Sequence, residues 1–241
     1  MIQTRTSVLA ALVITLLALP FGNASAEEVQ VISLEELKVA LDAQQEILLL
    51  NPQTEILFNE GYIPGSVNIP LKKIPDSDRL PAERERLIVV YCRSPKDIVA
   101  KQAAEMISAK GYSHVRFLKG GAAAWVAAGY PLEYEMALPR VPVSVVNAVQ
   151  LLESLPEVVV LDIRPPTLQD IGRIKGSRNM PMEELSERYA DLPRGKRIVV
   201  VDHMGNQVIL AARFLGQKGF DVQGLLGGMT AWVNEGYPVE K

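Results

Sequence analysis

The feature that most constrains the fold of this chain is an internal repeat. Several segments recur in the same order and at a nearly constant separation. Because chance similarity would not preserve both order and spacing over so many positions, we predict two tandem copies of one small domain. The aligned segments are 51–70 with 162–181, 87–92 with 197–202, and 120–131 with 227–238, at separations of 111, 110 and 107 residues.

The two copies differ at a position of chemical interest. Cys92 in copy one aligns with Asp202 in copy two, and the sequence contains no other cysteine. Copy one also has two additional residues between Cys92 and Ala103. We therefore expect any sulfur chemistry in copy one and assign copy two a structural or lid role.

The N-terminus has the pattern of a cleavable secretory signal. Arg5 precedes an apolar run over 8–19, and the small residues 24–26 follow. This run is shorter than the roughly 20 residues that a membrane-spanning helix needs. We predict cleavage after Ala26, a periplasmic location and no stable membrane insertion afterwards. The expected divisions are a signal peptide over 1–26 and domains over 27–137 and 138–241.

The charge balance argues against nucleic-acid binding. After removal of Arg5 with the signal peptide, 24 basic residues remain against 28 acidic ones, a formal charge of −4. A basic patch or stripe is the usual electrostatic feature of nucleic-acid-binding domains. A single cysteine also cannot form an internal disulfide, so Cys92 is a thiol, an intermolecular disulfide or a chemically used sulfur.

Hydrophobic patterning predicts an α/β domain in each copy. The capping box at 33–36 predicts a helix start, and Ser144 occupies the same place in copy two. The continuous β-branched runs are typical of parallel strands covered by helices on both faces. Expected buried strands are 47–50, 88–91, 158–161 and 198–201, and expected helices are 98–110 and 208–218.

Cys92 follows an expected parallel strand directly, and ligands of such sheets bind beyond the carboxyl ends of the strands. Loop N–H groups and a helix N-terminus there would stabilise a thiolate, and Arg93 and Lys96 add positive charge. Asp97 opposes part of this charge. The candidate substrate-binding residues are Arg93, Ser94, Lys96 and Asp97. The alternative is a buried, inert cysteine.

Three motifs together resemble those of the rhodanese family. They are Gly-x-Ile-Pro-Gly-Ser-x-Asn-Ile-Pro at 61–70, Ile-Val-Val-Tyr-Cys-Arg-Ser at 88–94, and Leu-x-Gly-Gly-x3-Trp with a closing Gly-Tyr-Pro at 118–131. The resemblance covers residues 27–241, as two rhodanese-like domains. It implies that each domain is a five-stranded parallel sheet with helices on both faces.

The resemblance also implies transfer of sulfane sulfur through a persulfide on Cys92. The partners would be a small sulfur-containing anion and a thiol or cyanide acceptor. The acceptor could belong to a partner protein, and no cofactor is expected. Copy one has Asn51 and Gln53 where the family usually has Asp-x-Arg. Copy two keeps that pattern as Asp162 and Arg164.

Other functions remain as alternatives. A non-catalytic binding or scaffold module would explain the altered loop of copy one and the missing cysteine of copy two. Phosphatase chemistry is disfavoured because no arginine lies in the several residues from Ile98 onward, and a dithiol mechanism would need a second cysteine. We interpret His203, beside Asp202, as part of a solvated remnant, because no third metal ligand is evident, and no metal is predicted.

Overall fold

The computed structural model describes residues 29–94, 98–134 and 142–241. Within these residues the chain forms two parallel sheets of five strands each, ordered β1-β5-β4-β2-β3 and β6-β10-β9-β7-β8. The strands are β1 Gln30–Ile32, β2 Ile47–Asn51, β3 Val67–Asn68, β4 Leu87–Val90, β5 Val115–Leu118, β6 Val145–Val146, β7 Val159–Asp162, β8 Arg178–Asn179, β9 Ile198–Val201 and β10 Val222–Leu225.

Eight α-helices and three short 3-10 helices connect these strands in the described residues. The α-helices are α1 Leu34–Asp42, α2 Glu55–Asn59, α3 Ile98–Ala109, α4 Gly121–Ala127, α5 Ala148–Ser154, α6 Leu185–Arg188, α7 Val208–Gln217 and α8 Gly228–Asn234. The 3-10 helices are Leu71–Lys73, Pro166–Leu168 and Tyr189–Asp191.

Helices cover both faces of each sheet, as predicted. In the first unit, Leu37 of α1 and Trp125 of α4 pack on one face, whereas Ala103 of α3 packs on the other. In the second unit, Trp232 of α8 and Leu215 of α7 lie in the two opposite clusters. The central strands are therefore shielded on both sides, which explains why their sequences are continuously apolar rather than alternating.

The helix caps confirm one prediction and correct another. Ser33 caps α1, and its side chain and that of Glu36 form the expected reciprocal capping box. In the second unit Ser144 is not the cap: Asn147 caps α5 together with Gln150. The first strand of this unit, β6, lies between Ser144 and the helix, so the cap moves three residues along the chain. Ser144 accepts a hydrogen bond from Gln223 at 3.0 Å.

The two units contact each other through α2 and the region around α6 and α7. The side chain of Ile56 in α2 belongs to the hydrophobic cluster of the second unit and is buried there. Lys72, in the 3-10 helix Leu71–Lys73, forms an ion pair with Glu183. The two units therefore pack against each other.

The predicted signal peptide over 1–26 lies outside the described residues. Among the residues that the structure describes, no helix combines the length and the apolar character needed to cross a bilayer.

Candidate active site

Cys92 lies at the carboxyl edge of the first sheet, two residues beyond the end of β4. Only 1% of the residue is exposed, and it packs in the same cluster as Ala100 and Ala103 of α3. This position is the one that the sequence predicts for a ligand-binding cysteine. Its burial means that a reagent can reach the sulfur only if neighbouring groups give way.

Two of the predicted substrate-binding residues stand beside Cys92 in the structure. Arg93 and Ser94 directly follow it, and both are exposed to solvent. The other two, Lys96 and Asp97, lie outside the described residues. The structure therefore places one cationic side chain, that of Arg93, next to the cysteine along the described chain.

Helix α4 packs its first turn directly against the backbone of Cys92. The N–H of Ala122 donates to the carbonyl oxygen of Cys92 at 2.9 Å, and that of Ala123 donates to the carbonyl oxygen of Arg93 at 3.1 Å. Gly121 allows this approach, because a Cβ atom there would lie 2.2 Å from the Cys92 oxygen. In the first unit the Gly-Gly motif therefore brings a helix start against the cysteine.

Hydrogen bonds among Asn51, Gln53 and Asn68, at the ends of β2 and β3, form a polar frame that supports the same loop. Asn51 accepts a hydrogen bond from the N–H of Gln53 on its Oδ1 atom at 2.9 Å. The amide of Asn68 donates to the carbonyl oxygens of both residues, at 3.0 and 2.8 Å. From this frame the Gln53 side chain reaches the loop, where its Oε1 accepts the N–H of Arg93 at 3.1 Å. Sequence reasoning missed this contact.

Tyr91, immediately before Cys92, is fully buried with its phenol engaged in hydrogen bonds. The hydroxyl donates to Ser66 Oγ at 2.7 Å and accepts from the N–H of Ile63 at 3.0 Å. Burial raises the pKa of this phenol, and the hydrogen bonds to Ser66, Ile63 and Asn51 only partly offset the effect of burial. The second unit has Val201 at this position, so the network belongs to the first unit alone.

Tyr91→Phe should make the stability of the protein less sensitive to alkaline pH. The raised pKa means that folding favours the neutral phenol. This contribution is fully present below the pKa of the unfolded phenol, about 10, and is lost as the pH rises through the folded-state value. The variant should lose about 1 kcal/mol at neutral pH, because the Ile63 N–H loses its acceptor. Urea unfolding between pH 8 and 11 measures both effects; parallel pH profiles for the two proteins would contradict this expectation.

In the second unit, the carboxylate of Asp202 occupies the loop that is equivalent to the Cys92 loop. Asp202 is buried, and its side chain accepts the N–H groups of Gly205 and, at 2.7 Å, of Gln207. Its carbonyl oxygen accepts the N–H of Met229 at 2.8 Å, as Cys92 does from α4. His203 beside it is exposed, as expected of a solvated remnant, whereas Asp202 is buried. Loop N–H groups bind an anion here, and the anion is part of the chain.

The fold and this loop define a class of protein: a tandem α/β protein with one cysteine at the carboxyl edge of its first sheet. The model of the rhodanese-like domain matches twice, over residues 33–128 and 146–235. These matches together cover more than half of the chain. The chain therefore belongs to the rhodanese-like family, as two tandem domains.

Individual relatives align with parts of the chain. A sulfurtransferase from Allochromatium vinosum is 31% identical over 99 residues, which cover 41% of this chain and 89% of that protein. A thiosulfate sulfurtransferase from Pseudomonas fluorescens is 39% identical over 85 residues, covering 34% and 75%. A crystal structure of a thiosulfate sulfurtransferase from Pseudomonas aeruginosa is 26% identical with a TM-score of 0.44; the alignment covers 88% of this chain and 43% of that one.

Proposed function

We propose that this protein is a sulfurtransferase that carries sulfane sulfur as a persulfide on Cys92. The observation that carries the proposal is the position of Cys92 in a rhodanese-like domain, at the carboxyl edge of the sheet. Its carbonyl oxygen accepts the N–H of Ala122 in α4, and the N–H of the next residue, Arg93, donates to Gln53. The names of the relatives, sulfurtransferase and thiosulfate sulfurtransferase, point to the same reaction class.

The reaction proceeds in two displacements on sulfur. The Cys92 thiolate attacks the outer sulfur of thiosulfate; a new S–S bond forms, the S–S bond of the donor breaks, and sulfite leaves with the bonding electron pair. An acceptor thiolate, or cyanide, then attacks the terminal sulfur of the persulfide. That step returns the Cys92 thiolate and leaves the sulfur on the acceptor, so no external oxidant or reductant is consumed.

The surroundings of Cys92 suit a small anionic donor. Arg93 is exposed beside the cysteine and provides positive charge for an incoming oxyanion. The sulfur itself is almost completely covered, which favours compact donors such as thiosulfate or short polysulfides over bulky ones. Export to the periplasm, with the signal peptide removed after Ala26, is part of the same proposal, as is a thiol acceptor that belongs to a partner protein.

Intact mass measurement tests this function directly. The mature protein is reduced, freed of reductant and incubated with thiosulfate or polysulfide, with Cys92→Ser as the control. We expect one added sulfur atom on the native protein, none on the control, and loss of the adduct when a thiol is added. A native protein that gains no sulfur from either donor, while its thiol still reacts with iodoacetamide, would overturn the enzyme proposal.

The second candidate function is that of a binding or scaffold module. The observation that favours it is the loop of the second unit, which its own Asp202 occupies. There the loop N–H groups are already used by Asp202, and a carboxylate cannot carry a persulfide. If the first unit fails to take up sulfur as well, both units share this non-catalytic character. The mass experiment therefore separates the two candidates.

A further inference from the structure

Gln53 in the first unit and Arg164 in the second occupy equivalent positions, and the same hydrogen bonds surround the backbone of each residue. The N–H of Arg164 donates to Asp162 Oδ1 at 3.0 Å, as that of Gln53 does to Asn51 at 2.9 Å. Asn179 donates to the carbonyl oxygens of Asp162 and Arg164, both at 2.9 Å, repeating the contacts made in the first unit. Any difference between the two positions therefore arises in the side chains.

The side chains of Arg164 and Gln53 form hydrogen bonds with different partners. Arg164 folds back onto Asp162, with Nη2 at 2.6 Å from Oδ2, and also donates to the carbonyl oxygen of Gly172 at 2.9 Å. Gln53 instead extends to the cysteine loop and accepts the N–H of Arg93 at 3.1 Å. A guanidinium has five donors and no acceptor, so an arginine at position 53 could not make this contact. The exchange of arginine for glutamine creates an acceptor for the loop.

We propose that Gln53 is a positioning residue that fixes the peptide group between Cys92 and Arg93. This peptide is bonded at both ends: its carbonyl oxygen accepts from Ala122 at 2.9 Å, and its N–H donates to Gln53. With both ends held, the peptide plane following the reactive sulfur cannot rotate. The role in catalysis rests on the proposed sulfur transfer, whereas the role in loop geometry does not.

The consequence for chemistry follows from the position of this peptide directly after the cysteine. The same peptide carries Arg93, the exposed cationic side chain next to Cys92, and a nearby cation favours the thiolate form of a cysteine. Releasing the Arg93 N–H would allow the peptide to rotate and would loosen the placement of this charge beside the sulfur. Gln53 is neutral, so it orders the loop without adding a negative charge that would oppose the thiolate.

The test compares Gln53→Met, which keeps the size of the side chain but removes the acceptor, with Gln53→Glu, which keeps an oxygen acceptor. Gly236→Ala, in the second unit, is the stability control, because its φ of +75° with open space around it gives a modest loss of stability. Two measurements are made on the full chain: hydrogen exchange of the Arg93 amide by NMR, and the pH dependence of alkylation of Cys92 by iodoacetamide.

We expect Gln53→Met to make the Arg93 amide exchange about 5-fold faster and to move the midpoint of Cys92 alkylation to higher pH. Gln53→Glu should keep the slow exchange, and Gly236→Ala should leave both readings unchanged. Unchanged exchange and midpoint in Gln53→Met, or equal shifts in Gly236→Ala, would overturn the proposal. Neither reading requires a sulfur donor, so failure of sulfur uptake by the native protein is a separate result.

Discussion

Gly121→Ala is expected to lower the free energy of unfolding by about 3–5 kcal/mol and to abolish sulfur uptake by Cys92. Gly121 has φ of +58°, in the left-handed region, and an added Cβ would lie 2.2 Å from the Cys92 carbonyl oxygen. That oxygen belongs to the backbone at the end of a buried strand and cannot move away at low cost. Helix α4 would have to retreat, and the hydrogen bond from Ala122 to Cys92 would break.

The matched control for this prediction is Gly129→Ala, at the other end of the same helix. Gly129 also has positive φ, +84°, but an added Cβ there meets nothing within 4 Å. Only the conformational penalty applies, about 1–2 kcal/mol. Urea unfolding and the mass assay for sulfur uptake are run on both variants. Equal losses of stability in the two, or normal sulfur uptake by Gly121→Ala, would show that the close approach to Cys92 is unimportant.

Arg164→Met should destabilise the second unit strongly, by about 3–5 kcal/mol. Arg164 and Asp162 are buried, with side-chain exposures of 5% and 1%, and their closest atoms are 2.6 Å apart. The variant leaves the Asp162 carboxylate buried without its cation. Because domains of this size are stable by only about 5–15 kcal/mol, the loss is a large fraction of the total.

The chain itself supplies the control for this prediction. The double variant Asp162→Asn, Arg164→Gln reproduces Asn51 and Gln53 of the first unit, where the same backbone frame exists without an ion pair. Removing both charges together should cost less than about 2 kcal/mol, since no unpaired buried charge remains. Thermal and urea unfolding measure the two losses. A double variant as unstable as Arg164→Met would mean that the charge pair is required for the frame.

Much of the architecture follows from local residue patterns in the sequence. The runs of β-branched residues predict β4 and β9 to within one residue, and the expected helices over 98–110 and 208–218 match α3 and α7 to within one residue. The correction at Ser144 shows that aligning the two copies does not by itself predict which residue caps a helix. A capping residue is defined by the backbone that follows it, and an offset of 111 residues could not reveal that β6 comes first.

By itself, the sequence determined the two-domain repeat, the parallel α/β class and the position of Cys92 at the end of a strand, because these depend on local periodicity and on recurring motifs. Only the tertiary structure decided what surrounds the cysteine: Gln53 on the Arg93 N–H, Gly121 against the Cys92 oxygen, and Asp202 filling its own loop. These contacts join strand ends, loops and helix starts that lie tens of residues apart. Their existence depends on distances of a few ångströms, which side-chain type and spacing along the chain do not specify.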